Sequence, residues 1–273
     1  MKKRLFNILL GLALVMGLMM GVSTMTYAAD PQSQNTNYLT FTGEEQFTLS
    51  TEDNTKIWDD GKMEYSTDTT SWTEWDGQPL SSSKTVPHVL YLRGKNNKQV
   101  GGSSGKSFSL NKPVACSGNI MTLLDYENPG TELKEEYTFA NLFYNCRNLT
   151  SAPELPATRL AEHCYSYMFS GCTSLETAPA LGATTLAKNC YFGMFNKCTI
   201  LKKVPALEAT SLAEECYSYM FSECTSLETA PELPATRLAK YCYANMFYGC
   251  TGLSSAPELP ATMLADYCYF AMF

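Results

Sequence analysis

Ten of the eleven cysteines fall into two series with a constant interval of 26 residues: Cys164, Cys190, Cys216, Cys242 and Cys268, and Cys146, Cys172, Cys198, Cys224 and Cys250. A thiol repeated in this way suggests three chemistries. As a nucleophile it needs a base beside it, and the chain has two histidines, His88 and His163, for eleven thiols. As a structural zinc ligand it would come in close Cys-x2-Cys pairs, which are missing. As half of a disulfide it must meet its partner at a Cα separation of about 4.4–6.8 Å. Cys164 and Cys172, eight residues apart on a predicted helix, would lie about 12 Å apart. Equivalent cysteines of adjacent units would keep the spacing of neighbouring strands, ~4.8 Å, outside the ~3.5–4.5 Å that two Cβ atoms need. The expected role is a small buried hydrophobe. The competing arrangement is bonding across units after local distortion. Cys116 lies outside both series and reads as a lone free thiol.

The remaining reactive side chains make no constellation. His163 shares its repeat position with Asn189, Glu215, Tyr241 and Tyr267, a variety that suits an exposed surface better than a catalytic base. Glu154, Glu232 and Glu258 recur because the unit recurs, so they need no acid–base pairing. The run GGSSGK (101–106) lacks the spacing of a phosphate-binding loop. The sequence therefore predicts a non-enzymatic protein with no cofactor and no metal site. One further string, YSTDTTSWTEW (65–75), resembles the Asp-box hairpin of sialidase propellers, with Trp72 one residue early and Thr70 in place of the glycine. It predicts a hairpin with Trp72 or Trp75 in a core. Exposed instead, the two indoles would form a platform for stacking sugar rings.

The elements that carry the cysteines repeat with them. From Thr138 to Phe273 the pattern runs without an insertion as five full units and a partial sixth, the signature of a stacked repeat architecture. Within a unit, Leu160, Cys164, Met168 and Cys172 are four apart, close to one stripe of a helix. Gly171 and Gly249 stand where a left-handed residue would end that helix. The following Leu-x-x-Ala-Pro-x-Leu is too short and too rich in proline for a second helix and predicts a short strand. One unit alone buries too little to fold, so neighbours must cover its faces.

The run Phe169, Gly171-Cys172-Thr173-Ser174-Leu175 and Pro179, with its siblings, resembles the BspA-like class of bacterial leucine-rich repeats over about half of the chain. The 26-residue unit is longer than that family's and carries Leu-Pro-Ala-Thr after the strand. The resemblance implies a secreted or surface-attached protein that adheres to host components or other microbes. The fold class expected is α+β: an immunoglobulin-like β-sandwich at 30–115, a linker or N-terminal cap at 116–137, and a leucine-rich-repeat solenoid at 138–273. In the first part, strands are predicted at Tyr38–Thr42, Phe47–Ser50, Met63–Ser66 and Val89–Gly94. Ile120–Leu124 is predicted as a strand that caps the open end of the repeats.

Residues 1–28 read as a secretory signal peptide: Lys2, Lys3 and Arg4, an apolar run from Leu5 to Val22, and Thr26-Tyr27-Ala28 before the cleavage point. The competing reading is an uncleaved anchor; after cleavage no membrane span is expected. Removal of the three basic residues takes the formal charge from −7 to −10. Nucleic acid and anionic lipid are then poor partners. An extracellular protein, from host matrix or another microbial surface, is the expected partner, with a glycan as the alternative. Specificity in a repeat stack belongs to the variable positions. Those after the strand leucine are Thr150-Ser151, Glu176-Thr177, Lys202-Lys203, Glu228-Thr229 and Ser254-Ser255. The unit with Lys202 and Lys203, flanked by Glu176 and Glu228, is the expected centre of the contact. A solvated face of self-neutralising charges is the competing view. The chain stops six residues into its sixth unit, which leads us to expect a truncated product or fragment, with any wall anchor in the missing part.

Overall fold

Alternation of apolar and polar residues dictates the first half of the structure, a computed structural model that describes residues 37–102 and 106–273. The predicted signal peptide lies outside the described residues. Leu39 and Phe41 on β1 (Leu39–Gly43) and Leu90 and Leu92 on β6 (His88–Lys95) point to one side and are fully buried. Register pairs Leu39 with Leu92 and Phe41 with Leu90. Around them run β2 (Thr48–Thr51), β3 (Lys62–Ser66), β4 (Thr73–Glu74), β5 (Leu80–Ser81), β7 (Phe108–Leu110), β8 (Val114–Ser117) and β9 (Leu149–Ser151). They form a six-stranded sheet in the order β4-β3-β6-β1-β8-β9 and a three-stranded sheet in the order β5-β2-β7. Phe41 of one sheet meets Phe108 of the other edge-on at 6.1 Å, and Phe108 stacks on Trp75 at the same distance. All pairings are antiparallel except β8 with β9.

The second half is not helical, and the α+β expectation is wrong. No α-helix occurs among the described residues; Ile120–Leu123, expected as a strand, is a single 3-10 turn capped by the Asn119 side chain. The stretch expected as a helix is a ribbon of successive turns. In its first unit the N–H groups of Phe139, Asn141, Phe143 and Asn145 donate to the carbonyls of Cys164, Ser166, Met168 and Ser170 in the next unit, at 2.7–3.0 Å. The N–H groups between them, of Ala140, Leu142, Tyr144 and Cys146, donate three residues back. A left-handed residue returns every fourth position: Tyr137, Asn141 and Asn145, then His163, Tyr167 and Gly171. No α-helix tolerates that recurrence. Gly171 and Gly249 are left-handed as expected, but they belong to this series and do not end a helix.

The units stack in parallel at the sequence interval. Bridges join Leu155 to Leu181, Arg159 to Thr185, Thr177 to Lys203, Ser211 to Arg237 and Arg237 to Met263, each 26 residues on. Stacking at constant register turns repeated residues into ladders. Phe143, Phe169, Phe195, Phe221, Phe247 and Phe273 stack with centroids 5.4–5.9 Å apart. Tyr165, Tyr191, Tyr217, Tyr243 and Tyr269 do the same at 5.8–5.9 Å. The first half closes the N-terminal end of this stack. Val100, Gly102 and Phe108 donate to the carbonyls of Thr138, Ala140 and Leu142, filling the place of a preceding unit. Phe143 rests on Phe108 at 5.4 Å, so the ladder runs on into the core between the sheets. Gln34–Phe273 is accordingly one compact unit, although its composition suggests two domains.

Candidate interaction surface

The repeated cysteines come first, because their chemistry decides where function can reside. All eleven are free and buried. Burial pushes the thiols of Cys146, Cys190 and Cys198 up to about 12, and those of Cys242 and Cys250 to about 11. Thiols so held stay protonated and are neither nucleophiles nor metal ligands at neutral pH. They are more than apolar filler, however. The sulfurs of Cys172, Cys198 and Cys224 each donate to the carbonyl of Phe143, Phe169 and Phe195 in the preceding unit at 3.1 Å, and Cys250 donates to Phe221 at 2.9 Å. Cys116, outside the repeat, is likewise buried at the junction of β8 with β1. Among the described residues, no group of three or more His, Cys, Asp or Glu is placed to hold a metal ion.

Of the short strands expected after the turn ribbon only β9 forms among the described residues; in later units these segments make isolated bridges, and the variable pairs after Leu175, Leu201 and Leu227 lie on the outside. Glu176, Thr177, Lys202, Lys203, Glu228 and Thr229 are all exposed, while Leu175, Leu201 and Leu227 before them are fully buried. Backbone bonds join the first two of these rungs: the N–H groups of Lys202 and Lys203 both donate to the carbonyl of Glu176, and that of Ala178 donates to the carbonyl of Lys203. Lys202 reaches back one unit to Glu176, Nζ to Oε1 3.0 Å. Both side chains are more than half exposed, so this pair adds at most ~1 kcal/mol. The two lysines are thus not equivalent. Lys202 is neutralised within the stack, whereas Lys203 and Glu228 enter no ion pair among the described residues. Lys188–Glu214 and Lys197–Glu223 repeat the one-unit pairing elsewhere, at 3.5 and 3.7 Å.

The two tryptophans separate. Trp75 is 1% exposed, packed between Trp58 and Phe108, with its Nε1 donating to the Gln78 carbonyl at 2.7 Å. It belongs to the core and cannot stack on a sugar. Trp72 is half-buried, and the guanidinium of Arg93 covers its ring at 3.9 Å while also lying 4.0 Å from Tyr126. Glu64 fixes that guanidinium at 2.7 Å. The string between them is a β3–β4 hairpin, as expected. Its turn is held by Asp68 Oδ1, which accepts from the N–H groups of Thr70 and Ser71. These bonds lower the Asp68 carboxyl to about 2.

The histidines are placed by neighbours too. His88 Nδ1 bonds the Ser83 carbonyl at 2.8 Å. His163 stacks on Tyr137 at 4.5 Å, half-buried where an exposed surface is expected, and burial lowers its pKa. Sequence reasoning misses the flank of the turn ribbon, where His163, Asn189 and Glu215 of three successive units line one groove. The changing side chain at that single repeat position is the signal that points there. No family model, curated protein or solved structure matches the chain.

Proposed function

We propose that this chain is a secreted or surface-displayed bacterial protein without enzymatic activity that adheres to an extracellular protein partner through the exposed rungs of its repeat stack. The observation that carries the reading is the division of labour along each unit. The repeated residues are consumed by the core, and the pairs that change from unit to unit stand exposed on a rigid backbone ladder. Rigid elements presenting variable side chains at fixed spacing suit recognition of a protein surface. Lys203, the cation without an internal partner beside Glu176 and Glu228, is the residue best placed to meet an acidic spot. The resemblance of the repeat to BspA-like surface proteins and the signal-peptide pattern of residues 1–28 support the location and the adhesive role. The burial of Trp75 and the covering of Trp72 by Arg93 remove the platform on which a glycan reading of the first half depends.

The test is binding of the whole chain to immobilised fibronectin, laminin and type I collagen. Saturable binding to at least one is expected, weakened at least tenfold by Lys202→Glu with Lys203→Glu and reduced by added salt. Unchanged affinity in the doubly reversed protein refutes the assignment of the rungs.

A further inference from the structure

Stacking at constant register places two rows side by side on the flank of the turn ribbon. The polar row is His163, Asn189 and Glu215, one residue from each of three successive units. The aromatic row is Tyr167, Phe192 and Tyr219; Tyr167 meets Phe192 at 5.3 Å and Phe192 meets Tyr219 at 5.5 Å. Between them lies a groove of ≈ 380 Å³, within the size range of small-molecule sites. Of this row Tyr167 and Phe192 line the groove; Tyr167 is about one-third exposed and Phe192 half-buried, which leaves ring surface for a ligand.

Two local departures from the repeat make the groove. Gly193 stands where the neighbouring units carry Tyr167 and Tyr219, and a Cβ there would come within 2.5 Å of Tyr167 Cε1. The missing side chain lets the Tyr167 ring lie over the next unit. Phe192 stands where those units carry Ser166 and Ser218 and supplies the middle of the aromatic row. At the polar row, Asn189 Nδ2 contacts His163 Nε2 at 3.3 Å, and Ser166 Oγ contacts His163 Nδ1 at 3.4 Å while donating to the Asn189 carbonyl at 2.7 Å. That set uses both ring nitrogens of His163. It leaves the amide oxygen of Asn189, a residue only 6% exposed, with no hydrogen-bond partner.

An acceptor buried without a donor costs about 1–3 kcal/mol unless something supplies the hydrogen. The terminal torsion of an asparagine is soft, so that oxygen can turn to meet a donor in the groove in exchange for the Nδ2 contact with His163. The buried acceptor is neutral, and the carboxylate of Glu215 sits in the half-buried part of the wall. A ligand with a full positive charge would be desolvated beside Asn189 without compensation at depth. Hydroxyl groups offset their smaller desolvation cost by donating to the amide and the carboxylate, while the carbon face of the ring lies on Tyr167 and Phe192. We propose that this groove binds a neutral oligosaccharide lying along the stack, with hydroxyls on Asn189 and Glu215 and ring faces on Tyr167 and Phe192. The site is separate from the rungs at Glu176–Thr229 and does not depend on the adhesive reading.

The experiment titrates the whole chain with cellotetraose, laminaritetraose, α-1,6-mannotetraose and chitotetraose, with tetramethylammonium as the cationic comparison, followed by saturation-transfer NMR. The fold already hosts two informative substitutions. Tyr stands at the Asn189 position in Tyr137, Tyr241 and Tyr267, and Asn stands at the Tyr167 position in Asn141 and Asn245. At least one tetrasaccharide is expected to bind saturably. Asn189→Tyr and Tyr167→Asn should each weaken it at least tenfold with an unchanged thermal midpoint, and Lys202→Glu with Lys203→Glu should leave it intact. The proposal is overturned if none of the four sugars binds, if either variant binds them as well as the parent, or if tetramethylammonium binds and the sugars do not.

Discussion

Cys198 shows what one repeated residue contributes. Its side chain is fully buried, and its thiol donates to the carbonyl of Phe169 in the preceding unit. The same bond recurs from Cys172, Cys224 and Cys250, so each cysteine ties two units together without a covalent link. Burial of these positions is legible from the lack of a base or a close Cys-x2-Cys pair beside the thiols; the ~12 Å separation expected of Cys164 and Cys172 assumes a helix that does not form among the described residues. The donor role is not legible, since the acceptor lies 29 residues back in the chain and only the stacking brings it near. The pKa shifts give a pH dependence with a definite sign. For Cys146, Cys190 and Cys198 the folded value, about 12, lies above the ordinary thiol value of 9.0, with burial as the main cause. The native state therefore holds the proton more tightly than the unfolded chain. The stability these thiols contribute is fully present below pH 9 and is lost as the pH rises towards 12. The loss is up to about 1.4 kcal/mol per pH unit for each thiol. Urea midpoints measured on either side of pH 9 should fall steeply above it; a flat profile would mean that the thiols are not buried in protonated form.

At the scale of the element, the turn ribbon explains why a helix is the wrong reading. Leu160, Cys164, Met168 and Cys172 are spaced four apart with no step of three. On a helix of 3.6 residues per turn that spacing drifts by about 120° from first to last, so the four could not share one buried stripe. All four are nevertheless buried. The ribbon turns once every four residues and needs a left-handed residue at each turn. Asn141 with Asn145, Asn189 with Gly193, and Asn245 with Gly249 carry that requirement visibly, four apart, in residues that accept positive φ. Other places in the same series hold Tyr, Glu, Lys or His, which hide the rule. The cross-unit hydrogen bonds and the aromatic ladders then hold residues of these types in the left-handed region. Phe195 sits in mid-ladder, 5.6 Å from Phe169 and 5.7 Å from Phe221. Phe195→Ala is expected to cost about 3–5 kcal/mol. Because each unit touches only its neighbours, amide exchange should quicken first around residues 169–221 and leave β1 and β6 protected. Uniform acceleration across the whole chain would argue against a linear stack.

For the whole molecule, the legible part is the change of texture near residue 116; the hidden part is that no boundary in space follows it. The strands at Leu39–Gly43, Thr48–Thr51, Lys62–Ser66 and His88–Lys95 coincide with the predicted runs of alternating apolar residues. The parallel pairing of β8 with β9 has no local signal, and it joins the first half to the repeats in one sheet. The cap of the stack is likewise assembled from separate pieces, at Val100, Gly102 and Phe108, that no single motif announces. The result is a molecule whose repeated residues are enclosed and chemically quiet, and whose variable residues stand on the exposed rungs and line the flank groove. Counting thiols distinguishes such an enclosed stack from one with reactive or cross-linked cysteines. The whole chain is alkylated without reductant, once native at neutral pH and once fully unfolded, and its intact mass is measured. The native protein should take up essentially no label and the unfolded protein eleven, matching its eleven cysteines. Labelling of the native protein, or fewer than eleven labels after unfolding, would show reactive or disulfide-bonded cysteines and rule out the enclosed stack.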